Sequence, residues 1–105
     1  MYIYIIRCGD TDMYKVGVTS NLTQRLDTLQ TGCPMQLRYT YVISCNRRNI
    51  AYSIEATLHS RLKPNHLVGE WYTLDNYWLS DVQTILGKVG NVVLNEAEAT
   101  QDNLS

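Results

Sequence analysis

No run of apolar residues in this chain approaches the length needed to cross a membrane, and no charged-then-apolar leader precedes the first patterned stretch. The expectation is a cytoplasmic protein with no membrane partner, its N-terminus part of the fold. Cysteine is scarce. Cys8, Cys33 and Cys45 make an odd number without a close pair. That argues against a disulfide framework and against a cysteine zinc site, both of which need paired spacings, and leaves reduced, half-buried thiols. Surplus positive charge is missing as well. Nine Lys and Arg against ten Asp and Glu give a net charge of −1, which counts against a nucleic-acid binder. Internal repeats and any composition break that would mark a second domain are also lacking.

What is present suits one small domain. A chain of 105 residues with 45% hydrophobic content has an ordinary globular composition. At that length it buries roughly 60–70% of its unfolded surface, enough for one core without staples. The charges are unevenly spread. Seven of the nine basic residues fall between Lys15 and Lys63, where the only acids are Asp27 and Glu55. The acids gather from Glu70 onward. A basic face over the core, with an acidic end to the chain, is compatible with this order.

Tyr2 to Cys8 carries alternating bulky residues and reads as a strand, turned by the polar Gly9–Asp12 stretch into a second strand, Met13 to Val18. A helix follows from about Asn21 to Gln30. Asn21 can cap it, Leu22, Leu26 and Leu29 form its apolar stripe, and Gly32 and Pro34 end it. Leu37 to Ser44, aromatic and β-branched, reads as the third strand, and Cys45 to Asn49 as a polar turn. The second helix spans about Ile50 to Leu62, with Ala51, Ile54, Leu58 and Leu62 facing the core and Tyr52, Glu55 and His59 on a neighbouring stripe. After a loop around Gly69, Trp71 to Leu74 is a short extended piece, and Asp75 can cap a third helix, Asn76 to Val89. The expected fold is α+β: a small, mostly antiparallel three-stranded sheet flanked by three helices. Residues 1–90 form the domain, and 91–105 are expected to be a polar, flexible C-terminal tail.

A hairpin feeding a helix puts Tyr4, Lys15 and Arg25 within reach of one another. Together they can handle a phosphate: an arginine fork for its charge, a lysine beside it, and a phenol that can exchange a proton. Tyr4 in "IYI" precedes Gly17 of "YKVG" by thirteen positions, and Gly17 precedes Arg25 by eight. The second helix adds "IEATLHSRLKP", Ile54 to Pro64, and "GEWY" follows at Gly69 to Tyr72. In order and spacing, these motifs resemble the GIY-YIG endonuclease superfamily. The YKVG, "LH" and GEWY features resemble a phage-associated branch of it, with YKIG and GEWF-like signatures.

The resemblance implies a GIY-YIG-like fold and a one-metal endonuclease acting on DNA. Glu55 maps onto the glutamate that binds the catalytic divalent metal, Mg²⁺ or Mn²⁺. Arg25 is the expected donor to the phosphate as charge builds, and Tyr4 the expected proton acceptor. A free tyrosine has a pKa of about 10, so Tyr4 needs cationic neighbours, which Lys15 and Arg25 could be. Lys15 and His59 are supporting catalytic candidates, and Lys15, Arg25, Arg47 and Arg48 are candidate nucleic-acid contacts. Two departures stand out. The second signature tyrosine is replaced by Lys15, and the asparagine after the helix exit has no match: Asn65 follows Pro64 too closely. Glu70 or His59 are the groups available to compensate.

Each residue also has an ordinary reading. Tyr4 could be one more aromatic in a tyrosine-rich sheet, Arg25 a solvated helix residue, and Lys15 an exposed strand residue. Glu55 and His59 could be an i, i+4 surface pair, and Arg47 and Arg48 a solvated turn. Two rival functions follow. One is a non-catalytic module of the same fold that binds nucleic acid or a protein partner. The other is a small phage effector that blocks a host protein. A targeting partner and a homodimer are compatible with a domain this small, but no stretch of the chain demands either.

Overall fold

Ile3, Tyr4, Ile5 and Ile6 are four consecutive buried residues, because their strand lies in the interior of a sheet covered on both faces. A computed structural model of the chain describes residues 1–96. In it β1 (Tyr2–Cys8) pairs with β2 (Met13–Thr19) on one side and β3 (Leu37–Ser44) on the other. Side chains alternate between faces along a strand. Ile3 and Ile5 enter one apolar cluster, and Tyr4, Ile6 and Cys8 enter the other.

Helix α1 (Leu22–Gln30) covers the Tyr4 face with Leu22, Leu26 and Leu29. It begins where Asn21 accepts the Gln24 backbone N–H at 3.0 Å. The opposite face is covered by α2 (Arg48–Arg61), through Ala51 and Leu58, and by α3 (Asn76–Val89), through Val82 and Leu86. Asp75 caps α3 by accepting the Trp78 N–H at 3.0 Å. Helix α2 starts two residues earlier than the apolar stripe suggests, because the Ala51 N–H already bonds the Arg47 carbonyl. Arg48 is therefore the first helical residue and not part of a turn. A paired bond from Arg61 to Asp81, at 2.6 and 3.0 Å, links α2 to α3.

The α+β class, the antiparallel sheet and the three helices are as expected, but the sheet has six strands, not three. Its order is β4-β5-β2-β1-β3-β6. The added strands are β4 (His66–Val68), β5 (Trp71–Thr73) and β6 (Asn91–Asn95). The first two are three residues each, too short for an alternation to register. They meet in a hairpin at Gly69, whose φ of +56° falls in the left-handed region that glycine tolerates. Strand β6 corrects the expectation that the tail begins at residue 91. Val92, Val93 and Leu94 extend the sheet beside β3, and residues 97–105 of that tail lie outside the described residues. Gly90 admits this strand: a β-carbon there would sit 2.5 Å from the Ser44 carbonyl oxygen. No helix among the described residues is long and apolar enough to cross a membrane.

Candidate active site

The site begins with a gap in the sheet. Strand β5 pairs with β2 only across Met13, Tyr14 and Lys15. At Val16 the last contact is a long bond from its N–H to the Glu70 carbonyl, 3.4 Å. Beyond that point the outer edge of β2 has no strand beside it, and a bare edge must find other partners. Helix α2 supplies them. The His59 ring bonds the Val16 carbonyl at 2.8 Å, and the Val18 N–H donates to the Glu55 carboxylate. The spacing fits: four helical residues rise about 6 Å and two strand residues about 6.8 Å. A helical i, i+4 pair therefore serves alternate positions of a strand, and Glu55 and His59 are more than a surface pair.

A carbonyl can only accept, so the His59 nitrogen facing Val16, Nε2, carries the proton. In the neutral ring Nδ1 is then the lone pair. One ligand atom from each of Glu55, His59 and Glu70 lies within 4.8 Å of the others, and all three residues are half-buried. Two carboxylates and an imidazole are a donor set that fits a divalent ion. Burial and the neighbouring acid both act on Glu55. Its carboxyl is pushed above the ordinary range, first by burial and then by the Glu70 charge, against the opposing pull of His59, the Val18 N–H and Lys15.

Lys15 is buried, not exposed. Its Nζ lies 3.1 Å from Oε2 of Glu70 and 5.7 Å from the centre of the Trp71 ring. The ammonium of the "YKVG" motif thus faces the acid of the "GEWY" motif.

Tyr4 stands on the other face of the sheet, opposite Gly17 in the register and edge-on to Tyr39 with ring centres 5.5 Å apart. Its phenol is pushed well above the ordinary tyrosine value. Burial is the main cause. The Arg25 charge pulls the other way, and Glu70, Tyr39 and Glu55 add to the rise. Of the two cations expected to lower it, Arg25 does so without offsetting burial, and Lys15, engaged by Glu70, is not among the causes.

Arg25 is half-buried on α1. It lines a polar hollow with Thr19, Ser20, Asn21, Gln24 and Thr28. Among the described residues its guanidinium has no hydrogen bond or ion pair, so its fork is open to an anion. Arg47 and Arg48 are exposed at the start of α2, about 10 Å along the helix from Glu55, and stand outside the cluster. Asn65 is structural: its side-chain amide donates to the Thr73 carbonyl at 2.9 Å and closes the β4–β5 hairpin. Tyr39 was not singled out in the sequence. It anchors α1 by donating from its hydroxyl to the Leu22 carbonyl at 2.6 Å, and only the alternation of β3 hints at which face it shares with Tyr4.

The family model of the T5orf172 domain matches residues 1–90. The chain belongs to the T5orf172 domain family. This is a phage-associated family related to GIY-YIG- and HNH-like nucleases. No curated protein and no solved structure matches the chain.

In this T5orf172 domain the charges that are segregated along the chain pair up across the fold. Lys15 meets Glu70, Arg38 meets Glu96 at 2.8 Å, and Arg61 meets Asp81. The basic face anticipated from the charge order is therefore reduced. Among the described residues of its central segment, the cations left outside ion pairs are Arg25, Arg47, Arg48 and Lys63.

Proposed function

We propose that this domain is a divalent-metal-dependent endonuclease that hydrolyses DNA phosphodiester bonds by a GIY-YIG-like route with one metal ion. The observation that carries this reading is the gathering of one ligand atom from each of Glu55, His59 and Glu70 within 4.8 Å of one another, a donor set that suits a divalent ion. Membership of a nuclease-related family supports it. Arg25 receives the phosphate with its open fork and meets the negative charge that builds on it. Glu55 would hold Mg²⁺ or Mn²⁺, which would supply neutralisation of the charge on the phosphate. Lys15 keeps positive charge beside the site and positions Glu70. His59 fixes the edge of β2 against α2. Tyr4 keeps its proton in the resting protein and is a hydrogen-bond donor for the substrate. It can serve as a base only where added positive charge offsets its burial. Arg47 and Arg48 meet flanking backbone phosphates, contacts that position DNA without reading its sequence.

The test is cleavage of supercoiled plasmid with Mg²⁺ or Mn²⁺ against EDTA, alongside Arg25→Ala and Glu55→Gln. Nicking or linearisation is expected, abolished by EDTA and reduced in each folded variant by on the order of 10²-fold or more. Undiminished cleavage by Glu55→Gln would sink the assignment. A second reading draws on the Lys15–Glu70 ion pair, which already satisfies the lysine without substrate: a non-catalytic module that binds nucleic acid or a protein. It predicts DNA or protein binding that survives both EDTA and Glu55→Gln, with no turnover.

A further inference from the structure

We propose that Glu55, His59 and Glu70 together hold one metal ion, and that the imidazole makes this a transition-ion site preferring Mn²⁺ and its later neighbours to Mg²⁺. The proposal rests on the reading of Glu55 as a metal ligand, but not on cleavage. Three ligand atoms within 4.8 Å of one another can converge on a single cation. They come from two segments that the fold holds in place, α2 and the turn before β5. The imidazole is already oriented. His59 donates Nε2–H to the Val16 carbonyl at 2.8 Å, the backbone tether that metal-binding histidines commonly use on their second nitrogen, and Nδ1 is the nitrogen left to ligate. Glu70 is not lost to its ion pair. Lys15 sits on Oε2, no other described bond engages Oε1, and a carboxylate can bridge a lysine and a metal through its two oxygens. The ion pair thus aims Glu70 and offsets part of the repulsion between the two acids.

The ligand types decide the metal. Mg²⁺ prefers oxygen ligands and keeps several waters, whereas a neutral imidazole favours transition ions along the first-row series. A site made of Glu55 alone would show no such preference.

The experiment is Mn²⁺ binding to the full chain, followed by electron paramagnetic resonance in excess Mg²⁺, with electron spin-echo modulation to detect a nitrogen ligand. The wild-type protein should bind Mn²⁺ despite the Mg²⁺ and show nitrogen coupling. His59→Gln keeps an amide donor for the Val16 carbonyl and should abolish that coupling. Glu70→Gln should weaken Mn²⁺ binding by roughly tenfold or more. Thermal melts of each variant without metal confirm that the fold persists. Mn²⁺ bound without nitrogen coupling, and indifferent to Glu70→Gln, would overturn the three-ligand site; failure to bind Mn²⁺ at all would do so too. Plasmid cleavage separates the two claims. Nitrogen-coupled Mn²⁺ without cleavage leaves this site standing and removes the nuclease reading. Glu55-dependent cleavage without nitrogen coupling does the reverse.

Discussion

The hydroxyl of Tyr4 lies over the backbone of Gly17, so close that a β-carbon on Gly17 would sit 2.5 Å from the phenol oxygen and 2.8 Å from the ring carbon that bears it. The glycine of the second strand is there to seat the tyrosine of the first. Its backbone is not in the left-handed region, so space, and not conformational freedom, is what requires glycine. Gly17→Ala should therefore overpack the interior and cost about 1–3 kcal/mol, read as a lower urea midpoint. Tyr4→Phe removes the nearer of the two clashing atoms. In the double variant the alanine should cost less than it does alone, with a coupling of roughly 0.5 kcal/mol or more. Strict additivity would mean that the two residues do not share this contact.

That contact shows what could be read before the fold was seen. The spacing of Tyr4, Gly17 and Arg25 marked a hairpin and helix, and the leucine stripes marked the covered faces, because these patterns are local and periodic. The neighbours of the site were harder to see. Nothing in "YKVG" says that β5 stops at Lys15 and leaves Val16 and Val18 for a helix to satisfy, since an edge is a property of the assembled sheet. The ordinary alternative for Lys15, an exposed strand residue, rests on one polar residue in a strand usually facing solvent. Lys15 is buried here because Glu70 arrives from a turn more than fifty residues later. Strand β6 was hidden for another reason: Val92, Val93 and Leu94 are all substantially exposed, so its sequence has neither an alternating face nor a buried run.

Glu55→Gln should stabilise the metal-free protein slightly while removing the proposed activity. The Glu55 carboxyl is pushed above its ordinary value by burial and by Glu70, so at neutral pH its ionised form is disfavoured in the fold. A glutamine still accepts the Val18 N–H and adds no charge beside Glu70. Because the group is only half-buried, solvent screening keeps the gain to a few tenths of a kcal/mol. The sign follows from linkage. A raised folded pKa contributes stability that is intact below the unfolded value and is lost as pH rises through the folded one. The advantage of the variant should thus grow from acid towards neutral pH and be absent well below the usual glutamate range. Paired melts in EDTA across that interval measure it. A variant less stable than wild type at neutral pH would contradict the electrostatic account of the site.

Burial also sets the alkaline limit of the fold. The phenols of Tyr4, Tyr39 and Tyr72 are all held above the ordinary tyrosine value, chiefly by desolvation. Above about pH 10 the unfolded chain gives up these protons while the folded one keeps them. The unfolded state then binds fewer protons, and stability falls as pH rises. Each such group contributes a slope of at most about 1.4 kcal/mol per pH unit. Tyr4→Phe deletes one of the three and leaves the lysines and other tyrosines unchanged, so the difference between the two pH profiles isolates Tyr4. The wild-type curve should fall more steeply by up to that amount, and a tyrosinate difference spectrum should place the missing phenol's titration above the ordinary range. Parallel curves would mean that Tyr4 titrates normally. It would then be far better suited to accept a proton near neutrality than its buried position implies.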